Sequence, residues 1–421
     1  MTEALLKSSI MPTLLIFFTT AAWGYSYTDN RGLLPIGEVE SFMANTGAAL
    51  SGSTGAVYYN PAGLAAIDRN HISLSANSYL STHSQVNPIQ TIDGVDMNFS
   101  TRGLQAIPSA FVSTGQHEKW HYAFSVLIPH QLRVQDSVGY ATPTYTSLQI
   151  SRTNFFQLLM AGFTIATKTE NFDVGAGCFY TMYSTTQSST LNGAKASGLN
   201  SLVLNSYFDA QVSGVACNAG LQQQASENLR WGFTARLPLI ATSSSGTASQ
   251  FVQNPNTGIS TATGPKSIEP EYELPSDFTL GFEYRLSDLS RTYFDLSYQL
   301  SSSYNSGDIG ASATENKSTP RASAGFRYLV APTLEGFCGL GYNVSSVITN
   351  DSDYGEDYFV GTFGGRWASG NSTIGIGALY AHSSGSKNSP IYNAALTQTG
   401  SGTASIVTEA FGVMISSGYV F

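Results

Sequence analysis

Residues 276–286 alternate strictly: Phe278, Leu280, Phe282, Tyr284 and Leu286 are large and apolar, while Asp277, Thr279, Gly281, Glu283 and Arg285 between them are polar or small. A period of two puts the two sets on opposite faces only in a β-strand. The pattern recurs. In 291–300 Phe294, Leu296, Tyr298 and Leu300 oppose Arg291, Asp295, Ser297 and Gln299, with Tyr293 the one large ring on the polar side. Segment 119–128 sets Trp120, Tyr122, Phe124, Val126 and Ile128 against Lys119, His121, Ala123 and Ser125, and 229–237 sets Trp231, Phe233 and Leu237 against Arg230, Gly232, Thr234 and Arg236. Two-faced strands of this kind build a soluble sandwich or a membrane barrel.

The connections separate the two. The alternation predicts about fourteen strands between residues 71 and 421. After the even strands come short turns at 114–118, 167–171, 225–228, 287–290, 331–332 and 369–371. After the odd strands come long segments rich in Ser, Thr, Asn and Gly, at 82–103, 130–152, 185–203, 242–270, 304–319, 346–356 and 383–406. Short turns on one side and long loops on the other is the asymmetry of an outer-membrane barrel. The expected fold is therefore all-β, a 14-stranded antiparallel transmembrane β-barrel.

The start of the chain fits an exported protein. Lys7 precedes an apolar core across Leu14–Phe18 and small residues at Ala21, Ala22 and Gly24, the pattern of a secretory signal over residues 1–24. Beyond it no run of 18 apolar residues occurs, so a membrane is crossed by strands if it is crossed at all. The last strand carries Phe411, Val413, Ile415, Tyr419 and the terminal Phe421 on one face, an ending similar to the C-terminal strand read by outer-membrane assembly machinery.

Composition removes several functions. Only 11% of residues are charged and the net charge is -9, which leaves no basic patch for nucleic acid. Cys178, Cys217 and Cys338 are distant in sequence and lack metal or redox spacing, so they are expected as small apolar or lipid-facing residues without a disulfide framework. None of the six histidines has a nucleophile context, and His117 and His121 straddle a turn, so no catalytic residue, metal site or cofactor is expected. Gly175-x-Gly177, Gly339-x-Gly341 and Gly375-x-Gly377 lie in alternating strands with no helix after them, which points to close backbone approach and not to a nucleotide loop. Inward-pointing Arg230, Arg236, Arg285, Arg291, Arg321, Arg327 and Arg366 are expected to pair with Asp277, Glu283, Asp295 and Glu335 across a polar lumen. The acidic run Asp351, Asp353, Glu356 and Asp357 reads as a solvated outer loop.

Residues 25–70 precede the first strand and are too apolar to stand in water: Phe42, Met43, Leu50, Val57, Tyr58, Tyr59, Leu64 and Ile67 are interleaved with Gly37, Gly47, Gly52, Gly55 and Gly63. A 14-stranded lumen is wider than its own side chains fill. The segment is expected as its plug, with the barrel at 71–421.

Met43–Ala49 followed by Ala56–Ala65, with Asn60-Pro61-Ala62 at its centre, resembles the N-terminal hatch of the FadL family of outer-membrane long-chain fatty acid transporters. Ile107–Phe111, Trp120 with Val126–Pro129, and Pro275–Tyr284 resemble three of its strands, so the resemblance spans nearly the whole mature chain. The chain departs from the family at His130-Gln131, where Phe-Gly is common after the proline. On its own chemistry Asn60-Pro61-Ala62 is a rigid corner, since Asn bonds nearby backbone and Pro61 restricts Asn60.

The resemblance implies that this corner rests against an inward kink of the third strand and gates a lateral opening in the wall. Pro129, which cannot donate to a ladder, marks that irregularity. It implies passive passage of hydrophobic compounds, foremost long-chain fatty acids, in the outer membrane of a Gram-negative bacterium. The partners are then the hydrophobic ligand, outer-membrane lipid, lipopolysaccharide and the assembly machinery. A second reading keeps the fold for a structural or porin-like barrel, including homo-oligomers. It draws on the low apolar content of 130–152, 185–203 and 242–270, where a capture groove calls for Leu and Phe clusters.

Overall fold

The computed structural model describes residues 36–195, 201–253, 260–305, 314–346, 355–393 and 398–421. The signal segment, Asp351 and Asp353 lie outside the described residues. Fourteen strands form the wall: β1 (His71–Ile92), β2 (Val95–His117), β3 (Trp120–Tyr140), β4 (Tyr145–Lys168), β5 (Asp173–Lys195) and β6 (Ser201–Gln224). Then come β7 (Leu229–Arg236, continued by Ile240–Gln253), β8 (Ser260–Ile268, continued by Asp277–Arg285), β9 (Ser290–Gln299) and β10 (Thr319–Ala331). β11 (Leu334–Asn343), β12 (Gly355–Ser369), β13 (Ser372–Tyr392) and β14 (Gln398–Val420) complete it. Each strand pairs antiparallel with the next, and β14 closes on β1 from His71↔Val420 to Asn87↔Ser405.

The two faces sort as the alternation requires. Phe278, Leu280, Phe282, Tyr284, Phe294, Leu296 and Tyr298 are exposed on the outer wall, while Asp277, Glu283, Asp295 and Tyr293 are buried inside. The outer belt runs on through Phe363, Trp367, Ile374, Ile376, Phe411 and Ile415 and reaches Tyr419 and Phe421, whose rings lie parallel, 6.5 Å apart. Such a surface is stable only against hydrocarbon.

Two expectations change. The long loops are mostly strand: β1 and β2 continue through 82–103 to a two-residue turn, Asp93-Gly94, and β4 and β6 reach 24 residues each, more than twice the roughly 9–11 that cross a bilayer. Ser and Thr disguise these extensions because only every second residue must be apolar. The inward set, Leu132, Tyr145, Leu148, Ile150, Leu191, Leu202, Leu204 and Val252, joins Val86, Phe99 and Ile406 in one apolar core inside the outer end. The apolar cluster that the composition of 130–152, 185–203 and 242–270 conceals is thus present, spread over strands.

The cysteines also differ. Cys178 and Cys217, 39 residues apart, are register partners on β5 and β6 and form a disulfide, while Cys338 is free and exposed on the outer wall. Sequence spacing cannot report cross-strand register, which is what brings the two sulfurs together.

Candidate transport path

Residues Ile36–Ile67 lie within the barrel as three short helical turns, Glu40–Met43, Ala56–Tyr59 and Pro61–Ala66. Turns this short leave many backbone groups without partners, and buried ones must be satisfied. The wall supplies them. Asp295 Oδ2 accepts from the N–H groups of Gly47 and Ala48 at 2.8 and 3.0 Å. Thr362 Oγ1 accepts from Ala44 N–H and donates to the Phe42 carbonyl, both at 2.8 Å. Gln222 donates to the carbonyls of Ala48 and Leu50 at 3.0 Å, and Thr234 to that of Tyr59 at 2.9 Å.

Close approach accounts for several strand glycines. A Cβ on Gly377 or Gly364 would stand 2.5 Å from the Phe42 ring, one on Gly325 2.7 Å from Met43, and one on Gly175 2.5 Å from the Pro61 backbone.

The Asn60-Pro61-Ala62 corner is fully interior. Asn60 is extended (φ -155°), its Oδ1 accepts from Ala62 N–H at 3.1 Å, and its Nδ2 donates to the carbonyls of Ala48 at 2.6 Å and Leu221 at 3.1 Å. Pro61 then occupies the first helical position, where a missing N–H costs nothing. Asn60 and Pro61 seat against β5 and β6 through Gly175 and Gly220, two and three strands along from Pro129, while the Pro61–Ala66 turn as a whole also reaches β4 and β3.

Two carboxylates of this segment carry its electrostatics. Glu38 sits 3.2 Å from His71 Nε2 and 3.9 Å from Arg366, and accepts from Thr373 at 3.2 Å. Glu40 forms no ion pair among the described residues. It is fully buried between Gly37, Gly47 and Gly55, Ser53 donates to its Oε2 at 3.0 Å, and Oε1 has no hydrogen-bond partner. Loss of water pushes its carboxyl up to about 7, with the backbone and Ser53 pulling the other way.

The wall ladder is interrupted between β2 and β3, and among the described residues Ser260–Ile268 likewise has no register partner on the side away from Ile240–Gln253. β2 and β3 are laddered from His117↔Trp120 to Ala110↔Leu127, and among the described residues no register pair joins them beyond, although β2 stays paired with β1 to Ile92↔Val95 and β3 with β4 to Tyr140↔Leu148. At the same level the β3–β4 register slips by one residue between Leu127 and His130, and buried positions on β3 change from odd to even numbers. Pro129 lies in that slip.

The lumen is two-sided. Next to the seam, Leu127, Leu158, Met160, Val212 and Leu239 pack on Val57 and Leu64 of the inner segment. Above them a ladder of rings lines the inner wall: His130 on Phe156 (4.3 Å), Phe156 near Tyr183 (5.4 Å), and Tyr183 stacked on Tyr272 (3.8 Å). The opposite side is polar, with a cavity of about 70 Å³ lined by Asn45, Tyr58, Arg236, Asp295, Arg321 and Asn343 among others. There Arg321 pairs with Asp277, Arg291 with Glu283 at 2.6 Å, and Arg366 and Arg327 with Glu335. Arg236 instead donates to the Tyr58 carbonyl, Asp295 holds the inner backbone, and Arg285 pairs with Asp288 at an exposed turn.

Residues 40–397 match the family model described as outer membrane protein transport protein (OMPP1/FadL/TodX). The chain belongs to this family. A FadL homologue of Pseudomonas aeruginosa superposes with a TM-score of 0.65 at 13% identity, covering 93% of this chain and 100% of the other. The toluene transporter TodX of Pseudomonas putida gives 0.64 at 15% identity, covering 92% and 99%, and the toluene transporter TbuX of Ralstonia pickettii 0.60 at 14%, with the same coverage. No curated protein matches the sequence. At these identities the structures speak for the fold, and the family model for membership. This FadL/TodX-family protein is thus a β-barrel of the outer membrane of Gram-negative bacteria, in a family of channels that transport hydrophobic compounds and are not enzymes.

Sequence reading passed over Glu40, the ring ladder and the inward residues of the extensions. Glu40 had one signal, a carboxylate amid glycines and apolar residues. Tyr183 and Tyr272 had none, being far apart in the chain.

Proposed function

We propose that this protein carries long-chain fatty acids passively from the apolar core at its outer end, along the apolar side of the lumen, to a lateral exit between β2 and β3. The observation that carries this is the end of the β2–β3 ladder at Ala110↔Leu127 beside the apolar face of the inner segment. An apolar solute leaving there enters the bilayer interior and not periplasmic water, so burial of its surface drives the step and no energy source is required. In this reading 36–70 is the hatch, Asn60, Pro61 and Ala62 hold its gating corner, Pro129 shapes the seam, and Tyr419 and Phe421 address the barrel to the assembly machinery. The ring ladder favours flat aromatic hydrocarbons as a second substrate class, since offset and edge contacts between rings add to burial.

The test is uptake of radiolabelled oleate and toluene by a Gram-negative host lacking its own porter, with empty vector, this protein, and the Asn60→Ala/Pro61→Ala variant at equal surface expression. Saturable uptake that the double variant loses supports transport and gate together. No uptake above vector from a folded barrel returns the protein to the structural or porin-like reading.

A further inference from the structure

The seam between β2 and β3 is closed again at its outer end, by side chains and not by a ladder. Asp136 of β3 and Arg152 of β4 are register partners, with Arg152 Nη2 3.2 Å from Asp136 Oδ2. The guanidinium reaches past β3 to lie 3.9 Å from the centre of the Phe99 ring on β2. One side chain thus ties together three strands, two of which share no register pairs at this height. All three groups are shielded from water: the Arg152 and Asp136 side chains are 3% and 6% exposed and Phe99 1%. Around them pack Leu132, Leu148, Ile150 and Phe156, with Val134 and Val138 at the edge. Nearer the tip, the Tyr140 hydroxyl donates to the Asn98 carbonyl, and Thr144 N–H donates to Asp93 Oδ2 at 2.9 Å, both from the β3–β4 side to the β1–β2 side.

We propose that Phe99, Asp136 and Arg152 form a clamp that fixes the outer edge of the β2–β3 slit and so sets the widest compound that leaves through it. The inference rests on the lateral-exit reading above and adds the residues that decide its size limit. The slit is bounded below by the pair Ala110↔Leu127 and above by the clamp. A ladder opens one bond at a time. A buried cation held on a ring and a carboxylate opens as a unit, because separating either partner leaves a charge in an apolar surround. A slim chain passes below it, whereas a wide ring system must part Phe99 from Arg152. The pair is charged but mutually neutralised, so the clamp adds no net charge to a path for apolar solutes.

Removing one charge alone would strand the other, so the informative variants are the neutral double Asp136→Asn/Arg152→Met, and Phe99→Leu, which removes the ring face but keeps an apolar residue. Uptake is measured for oleate, toluene, naphthalene and pyrene. In parallel, spin labels at Arg102→Cys on β2 and Gln135→Cys on β3, both exposed positions, report the distance across the slit. The expected result is that pyrene uptake relative to that of oleate rises at least fivefold in both variants, and the distance distribution broadens.

An unchanged size dependence with an unchanged distribution overturns the clamp. So does an equal loss of all four compounds, which would mark the cluster as structural support. If the unaltered protein takes up none of the four, the exit reading itself fails, and the distance measurement alone decides whether these residues hold the two strands together.

Discussion

The side-chain oxygen of Asn60 fills the space that a Cβ on Gly220 would need, so the corner of the inner segment and the wall strand β6 fit only while position 220 has no side chain. Gly220→Ala is expected to push Asn60 off its partners. Overpacking of a tight site costs about 1–3 kcal/mol. The check is the thermal unfolding midpoint in detergent together with protease access to 36–70. A variant that keeps both values would show that β6 yields to the extra methyl group.

Asn60→Ala removes the donor to Ala48 and Leu221 and the acceptor for Ala62 N–H, all in the interior. Ala62 N–H, left without its acceptor, costs about 1–3 kcal/mol, while the Ala48 carbonyl keeps Gln222 as a donor. The inner segment should loosen while the barrel, whose ladder is untouched, stays closed. In planar bilayers this appears as higher and noisier single-channel current, with heat-modifiable gel mobility unaltered. Equal current from both proteins would mean that the remaining wall contacts hold the corner unaided.

Glu40 makes docking of the inner segment depend on pH. Its carboxyl is raised from 4.5 to about 7 by burial, so the docked state binds the proton more tightly than the released one. Stability from this group is fully present below about 4.5, falls through the window up to about 7, and is gone above it. The whole span is on the order of 3 kcal/mol. Glu38, held by His71 and Arg366, and the phenol of Tyr59, which burial raises well above its usual value, are the titratable groups nearest it. Glu40→Gln should match the unaltered protein at pH 4.5 and exceed it at pH 8, as read by protease protection of 36–70. Parallel pH curves for the two proteins would remove Glu40 as the cause.

The Cys178–Cys217 bond closes a sequence separation of 39 residues between neighbouring strands. A cross-link of this kind stabilises by about 2–4 kcal/mol, chiefly by restricting the unfolded chain. Cys178→Ala/Cys217→Ala should lower the unfolding midpoint without altering uptake, since both residues face outward and away from the path. A fall in uptake at equal expression would contradict that placement.

β8 and β9 announce their faces in every residue, because large apolar side chains toward lipid and polar ones toward the lumen leave an alternation that survives in one dimension. The short turns gave up their positions in the same way. The extensions of β1 and β2 did not. There the outer face meets water, Ser and Thr replace the apolar set, and a composition that suits loops conceals strands.

The sequence by itself therefore determined the barrel and its number of strands, because both depend on which residues neighbour one another along the chain. Only the tertiary structure decided the disulfide, the partner of each lumen charge, the seating of Asn60 on β6, the buried place of Glu40 and the reach of Arg152 across β3 to Phe99. Those are contacts between residues tens to hundreds of positions apart, set by strand register. Register is a property of the closed sheet, since a slip of a single residue turns every side chain to the other face.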